Sequence, residues 1–148
     1  MKNSLSLLFY IAITMNASSS ASSPTNTTSK LECTFTRQWH TFIINMINDP
    51  ITVHIRSKDN SLGNTTLAFK GKKHWEFCMR VGGGTLFSGN FYWKSKTASF
   101  TVFDNKLSGK YCKGNNYAKT CLWTVKEDGF YLRGTKEIPN PPKLHDWS

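Results

Sequence analysis

A chain of 148 residues is long enough for one domain with its own hydrophobic core. It carries 19 Lys and Arg against 9 Asp and Glu, a formal net charge of +10. This excess favours an anionic partner or surface, with plain solubility as the alternative explanation for scattered lysines. Outside a cell, such partners are acidic cell-wall polysaccharide, lipid headgroups or an acidic receptor loop, and nucleic acid is not expected.

The first 21 residues are typical of a secretory signal peptide. Lys2 supplies the positive start, residues 5–15 are apolar, and small residues follow. The apolar run is shorter than the roughly 20 residues that span a bilayer. We therefore expect a secreted, extracellular protein, with cleavage after Ala17 or Ala21 left open.

The mature chain divides into three parts. Residues 22–37 are rich in Ser, Thr and Asn, which predicts a flexible polar tail. The domain is expected over 38–135, and the prolines of 136–148 predict an extended tail outside the sheets. Asn26 in the first tail and Asn64 in the first turn of the domain each begin a glycosylation triplet.

Alternating apolar residues predict an all-β domain. Ile51, Val53 and Ile55, for example, fall on one face of a strand. Eight runs have strand character, which predicts a small antiparallel β-sandwich of seven or eight strands with disulfides. They cover residues 38–46, 51–56, 67–69, 74–81, 86–93, 99–103, 121–125 and 129–133.

Turn-forming residues separate these runs. Residues 48–50 predict a hairpin between the first two strands, and the polar stretch 57–64 predicts a turn. The glycines at 82–84 lack the Lys-Ser/Thr of a phosphate loop and predict a turn, as does the Asp-Gly pair at 128–129. Residues 104–116 are polar and basic and are expected to form a loop.

Four cysteines follow the signal peptide: Cys33, Cys78, Cys112 and Cys121. An even number in an exported chain favours disulfides, and no CxxC or paired-His spacing supports the zinc alternative. Four cysteines allow three connectivities, and spacing does not choose among them. The simplest guess pairs Cys112 with Cys121 across a short loop and Cys33 with Cys78.

Catalytic signals are weak. His54 and His74 lie on the polar faces of predicted strands and would suit acid–base chemistry if they met, but solvated histidines are the better explanation. There is no GxSxG motif, and the carboxylates lie mostly in turns. We therefore expect neither an enzyme nor a cofactor.

Exposed aromatic side chains are a second route to binding, because Phe, Trp and Tyr make up 14% of the residues. Most fall on alternating strand faces and are expected in the core. Those expected to be free for a partner are Tyr92, Tyr111, Tyr117 and Trp147.

Four motifs carry a family resemblance over roughly residues 39–133: VHIRSKDNSLG, GKKHWEF, TLFSGNFYW and CLWTVKEDGFYL. In order and spacing they resemble the plant self-incompatibility S1 family of S-protein homologues. The resemblance implies a small secreted disulfide-bonded β-sandwich that acts as a ligand. In poppy, members made by the stigma bind a pollen membrane receptor and trigger rejection of self pollen.

The chain departs from the family pattern at two cysteines. Ile55 and Gly89 stand where the family's first and second cysteines are expected, whereas Cys112 and Cys121 match its later pair. The joint loss implies that the two early cysteines pair with each other in the family. The resemblance thus makes a Cys33 to Cys78 bond a replacement crosslink.

The resulting hypothesis is a monomeric, non-catalytic ligand of a membrane receptor protein. Polar loops on a rigid sandwich are where such binding is expected. A cationic cell-wall-binding or defence protein that binds anionic polysaccharide is the alternative. The loop residues expected to bind are Lys58, Asp59, Asn60, Lys106, Lys110, Lys113, Lys126, Glu127 and Asp128.

Overall fold

The structure is a computed structural model, and it describes residues 31–112 and 119–148. The predicted signal peptide and the first part of the polar tail, including Asn26, lie outside the described residues. So do Lys113 and Tyr117.

Within these residues the chain forms nine strands and one short helix. In chain order they are β1 (Gln38–Asn45), β2 (Ile51–Ser57), β3 (Ser61–Leu67), β4 (Lys72–Cys78), β5 (Phe87–Trp93), β6 (Lys96–Phe103), α1 (Asn105–Tyr111), β7 (Lys119–Lys126), β8 (Gly129–Arg133) and β9 (Lys143–His145).

The strands form two sheets, which confirms the predicted all-β sandwich. One sheet has the order β4-β1-β7-β8-β9 and the other β3-β2-β5-β6. Neighbours in the described sheets are antiparallel except β1 and β7, which run parallel. A parallel pair needs a long connection, and most of the domain lies between these two strands.

The core lies between the sheets and is filled by the inward faces of alternating strands. Trp123 at its centre is fully buried, and its indole Nε1 donates a 2.9 Å hydrogen bond to the Val102 carbonyl in the opposite sheet. This bond satisfies the one polar atom of a side chain that is otherwise apolar. The next largest fully buried side chains are Phe91, Phe103, Phe130, Ile43, Ile47, Ile51 and Ile55.

The predicted hairpin at residues 48–50 is wrong, because β1 and β2 belong to different sheets. Their connection crosses from one sheet to the other around Asn45, whose side chain is fully buried. Asn45 Nδ2 donates to the carbonyls of Asp49, at 2.8 Å, and Leu67, at 2.9 Å. A buried amide with such partners fixes the crossing, which alternation alone does not reveal.

β3 was also missed: the sequence predicted a turn over residues 57–64 and a short strand over 67–69. β3 instead starts at Ser61, at the edge of its sheet, where most of its side chains are exposed. Gly63 has φ +70, and the register with β2 shifts at a bulge between His54 and Arg56. A polar, bulged edge strand has few of the apolar residues that mark a strand in sequence.

The predicted tail 136–148 contributes to the sandwich, which therefore extends past residue 135. β9 pairs with β8, and Ser148 exchanges two backbone hydrogen bonds with Thr97 of β6 in the other sheet, at 2.9 and 3.1 Å. Trp147 packs against Trp93 and Phe130, with ring centroids 5.6 and 4.6 Å apart. The end of the chain thus covers the seam between the sheets.

Residues 104–116 were predicted as a loop, but residues 105–111 form α1. Asp104 caps the helix, because its Oδ1 accepts a 2.6 Å hydrogen bond from the Leu107 amide. Seven residues with Gly109 among them are too few to show an amphipathic pattern in sequence.

Both disulfides have the connectivity that the sequence favoured: Cys33 with Cys78, and Cys112 with Cys121. Ile55 and Gly89, which replace the expected family cysteines, are direct partners on β2 and β5. This placement agrees with the inference that those two positions pair with each other in the family.

Candidate partner-binding end

The strand directions divide the connections between two ends of the sandwich. We name the first the loop end; its connections within the described residues are 58–60, 79–86, 104–112 and 134–142. The second, the turn end, has mostly short connections: residues 46–50, 68–71, 94–95 and 127–128.

The residues predicted to bind a partner are split between these ends. Lys58, Asp59 and Asn60 lie at the loop end together with Lys106 and Lys110 of α1. The third predicted group, residues 126–128, lies at the turn end. One surface of the sandwich therefore cannot contain all three predicted groups.

Residues 79–86 connect β4 to β5 and line cavities together with Lys58 and Lys106. The sequence predicted only a turn there. Gly82, Gly83 and Gly84 all have φ between +81 and +89, a region that L side chains rarely adopt. The Arg80 amide donates to Thr85 Oγ1 at 2.9 Å, and the Gly83 amide donates to the Arg80 carbonyl at 3.1 Å. This loop is held by hydrogen bonds between its own residues. In the sequence, its three consecutive glycines were the only indication of this conformation.

Charge at the loop end is mostly unpaired. Arg80 forms an ion pair with Asp59, which joins the first two connections. Lys58, Lys106 and Lys110 are exposed, and within the described residues none has a carboxylate at ion-pair distance. Their charges are therefore available to an anionic partner.

A cavity of about 150 Å³ opens at this end, lined by charged and apolar groups. Lys58, Arg80 and Thr85 supply polar atoms, and Phe77 and Phe87 supply apolar surface. A side chain that enters here meets both kinds of contact.

The turn end differs, because several of its charges have partners within the protein. Asp49 accepts from Lys94 Nζ at 3.0 Å and from Trp93 Nε1 at 3.3 Å. The hydrogen bond from Lys94, followed by that from Trp93, lowers the pKa of the Asp49 carboxyl. Its charge is thus used to hold β5 against the connection between β1 and β2.

The predicted group at residues 126–128 shows the same pattern. The Tyr131 hydroxyl donates to Asp128 Oδ2 at 2.5 Å, and this bond lowers the pKa of the Asp128 carboxyl and raises that of Tyr131. Lys126 Nζ lies 4.5 Å from the Tyr131 ring centroid. Two of the three residues therefore have local contacts that explain their presence.

The two histidines considered for catalysis are not brought together. His54 lies on the outer face of one sheet, where Nε2 is 2.9 Å from Ser61 Oγ, and His74 lies on the outer face of the other. His74 Nε2 is instead 3.1 Å from His40 Nδ1. Burial, and then the charge of His40, lower the pKa of His74. Over residues 31–112 and 119–148, no group of three His, Cys, Asp or Glu side chains is placed to hold a metal ion.

The aromatic residues predicted to be free are mostly packed. Tyr92 is exposed, whereas Tyr111 and Trp147 are half-buried against the core. Trp147 Nε1 also donates to the Lys126 carbonyl at 2.9 Å. The prediction is therefore wrong for Trp147.

Comparison with known proteins agrees with this arrangement of strands and cysteines. A family model described as plant self-incompatibility protein S1 matches residues 40–147. The chain belongs to this family. The match reaches past residue 135, which agrees with the presence of β9 in the sandwich.

Two relatives in Arabidopsis thaliana show how far this S1 family member has diverged. S-protein homolog 5 is 30% identical over 102 residues, 66% of this chain and 75% of that relative. S-protein homolog 3 is 27% identical over 107 residues, 68% of this chain and 70% of that relative.

A solved structure extends the likeness to the fold. It is described as that of SPH (self-incompatibility protein homologue) proteins, a widespread family of small, highly stable, secreted proteins from plants. It matches with a TM-score of 0.57 at 17% identity and covers 78% of this chain and 98% of that one. In the part of our chain that the structure describes, no helix has the length and apolar character to cross a bilayer.

Proposed function

We propose that this S1 family member is a secreted, non-catalytic protein ligand that binds an acidic surface of a membrane receptor through its loop end. Family membership and the secreted proteins of the matching solved structure support export. The observation that carries the proposal is the cluster of exposed cations at one end of the sandwich, Lys58, Lys106 and Lys110.

The loop end suits recognition for a physical reason. Backbone groups within the strands are committed to the sheets, whereas the connections offer side chains on a rigid support. Two disulfides hold this end, since Cys78 ends β4 and Cys112 follows α1. Holding the loops before binding reduces the entropy cost of association. Exposed cations speed the encounter with an acidic partner, and salt weakens this attraction.

The experiment compares two triple charge reversals. Changing Lys58, Lys106 and Lys110 to Glu should weaken saturable binding to plant plasma membranes by about tenfold or more at low salt. It should also remove most of the salt dependence of that binding, which titration with the labelled protein measures.

The matched control changes Lys72, Lys96 and Lys126 to Glu at or near the turn end, with the same change in net charge. It should reduce binding much less. If both triple variants bind equally weakly, total charge rather than the loop end governs binding, and the proposal fails. Retention on pectin without saturable membrane binding would favour the cell-wall alternative instead.

A further inference from the structure

Two large apolar side chains at the loop end are exposed far beyond the others. Phe35 is 90% exposed and Val81 is 80% exposed, whereas the other exposed large hydrophobic side chains of the described residues lie between 38% and 46%. A single exposed apolar side chain needs no explanation, but two at the same end of one sandwich do.

The backbone holds Phe35 in this position. Residues 34–36 bend between two attachments to the same point of β4. On one side Cys33 is bonded to Cys78, with Cα atoms 5.5 Å apart, and on the other the Met79 amide donates to the Arg37 carbonyl at 3.3 Å. The bend is therefore a closed loop with Phe35 at its centre.

Val81 lies on the connection that leaves the end of β4, where the bend around Phe35 is attached. It is the third residue after Cys78 and directly precedes the glycines at 82–84. We name Phe35 and Val81 the apolar tip. The disulfide that supports it joins Cys33 to Cys78, the pair that the family resemblance makes a replacement crosslink.

Exposed cations accompany the apolar tip. Arg37 ends the closed loop, and Arg56 lies on the outer face of β2 near the loop end. Within the described residues neither has a carboxylate at ion-pair distance. Exposed apolar side chains and exposed basic ones at the same end of a protein are the combination that binds the interface of an anionic membrane, since the first enter the acyl boundary and the second contact the headgroups.

We propose that the apolar tip docks the protein on the surface of an anionic lipid bilayer. A protein partner of stable affinity would need a contiguous patch of about 800 Å² on each side, whereas a bilayer accepts separate projecting side chains. This contact would concentrate the ligand where a membrane receptor is found. It goes beyond the proposed function and does not depend on it, because lipid vesicles contain no receptor.

The test is co-sedimentation with vesicles of phosphatidylcholine, with and without phosphatidylglycerol. The wild-type protein should bind the anionic vesicles and not the neutral ones. The double change Phe35→Ser and Val81→Ser should weaken that binding by about tenfold or more, because two apolar side chains no longer leave water. The control is Phe69→Ser, because Phe69 is 44% exposed at the turn end and also has a lysine beside its ring, Lys70 Nζ at 5.2 Å. It should bind as the wild type does.

A second measurement separates lipid insertion from simple charge attraction. Immobilised polygalacturonate is anionic but has no apolar phase, so the tip variant should bind it as the wild type does. The inference is overturned if anionic vesicles do not bind the wild-type protein, if the tip variant binds them undiminished, or if Phe69→Ser is equally impaired. It is also overturned if the tip variant loses polygalacturonate binding to the same extent. Each of these results leaves receptor binding by the lysines to be judged separately.

Discussion

The two ends of the sandwich use similar residues in different ways. At the turn end, Lys94 and Asp49 bind one another, and Lys126 lies over Tyr131. At the loop end, Lys106 and Lys110 have no acidic partner within the described residues. The turn end thus uses these charges in contacts between side chains. At the loop end Lys110 Nζ lies 5.0 Å from the Tyr111 ring centroid, whereas Lys106 has neither an ion pair nor a ring contact among the described residues.

This difference shows why composition alone does not locate a binding surface. The chain has just over twice as many basic as acidic residues, and both ends contain lysines. What distinguishes Lys94 at the turn end from Lys58 and Lys106 at the loop end is a carboxylate partner among the described residues. Surface ion pairs add little stability, so an unpaired cation costs the fold little and remains available for binding.

The largest expected effect comes from the crosslinks of the loop end. Replacing Cys33 and Cys78 by Ser removes a bond across 45 residues, and replacing Cys112 and Cys121 removes one across 9. Chain entropy predicts losses of about 4 and about 2.5 kcal/mol in the free energy of unfolding, because the longer loop gains more freedom when released. Urea unfolding of both variants, beside the wild type, measures the two losses.

The matched comparison at the turn end is Lys94→Met, which removes the ion pair with Asp49. It should be less destabilising than the loss of either disulfide. If Lys94→Met were as destabilising as the loss of a disulfide, the contrast between a crosslinked end and a self-paired end would be wrong.

The next effect concerns Trp147, which closes the seam beside the turn end. Its ring packs on Phe130 and Trp93, and its Nε1 donates to the Lys126 carbonyl. Trp147→Ala should cost about 2 kcal/mol, below the range for a fully buried tryptophan because this one is half-buried. Trp147→Phe should recover part of the loss by restoring the packing without the hydrogen bond. A wild-type unfolding midpoint for Trp147→Ala would mean that the end of the chain does not hold the sheets together.

A smaller effect should follow from pH. His145 of β9 stacks on Phe100 with ring centroids 4.0 Å apart, and burial lowers its pKa from 6.5. The folded chain then takes up a proton less readily than the unfolded chain. Stability is therefore fully present above about pH 7 and falls as the pH drops through 6.5 toward the folded pKa. Burial also lowers the pKa of His74, which adds to the fall.

His145→Phe isolates this contribution, since phenylalanine keeps the stacking and takes up no proton. Its melting temperature should fall less than that of the wild type between pH 7.5 and pH 5.5. Equal falls in the two proteins would show that His145 is not the group that senses pH.

The parts of the fold that could be predicted from the sequence are those that a pattern within a single strand or turn determines. β2 and β5 show strict alternation because each has one buried face, and the Asp-Gly pair at 128–129 marks the turn between β7 and β8. Alternation does not state which sheet a strand joins, so the crossing at Asn45 was missed. β3 and β9 lie at sheet edges with few buried residues, and their places depend on pairing with distant strands.

The candidate site shows the same limit. Lysine-rich turns can be found in a sequence, but their grouping at one end depends on strand direction. The sequence therefore named Lys58 and Lys106 as cations that the structure finds exposed, although Lys106 lies on α1 rather than in a loop, and it grouped them with Lys126 at the opposite end. Exposure of Phe35 was also beyond sequence reasoning, because it results from a disulfide and a backbone hydrogen bond that hold its loop closed.

The smallest effect on binding is expected from glycosylation. It tests whether the recognised surface is confined to the loop end or reaches the edge strand of the sandwich. Asn64 is exposed on the edge strand β3, between the ends, and begins an Asn-x-Thr triplet. We expect protein secreted by plant cells to carry a glycan there, which peptide N-glycosidase would remove with a measurable loss of mass. Asn64→Gln should abolish that loss while membrane binding through Lys58 and Lys106 stays unchanged, because the glycan would lie on an edge rather than at the loop end. A change in binding after Asn64→Gln would show that the recognised surface reaches β3 and is wider than the loop end.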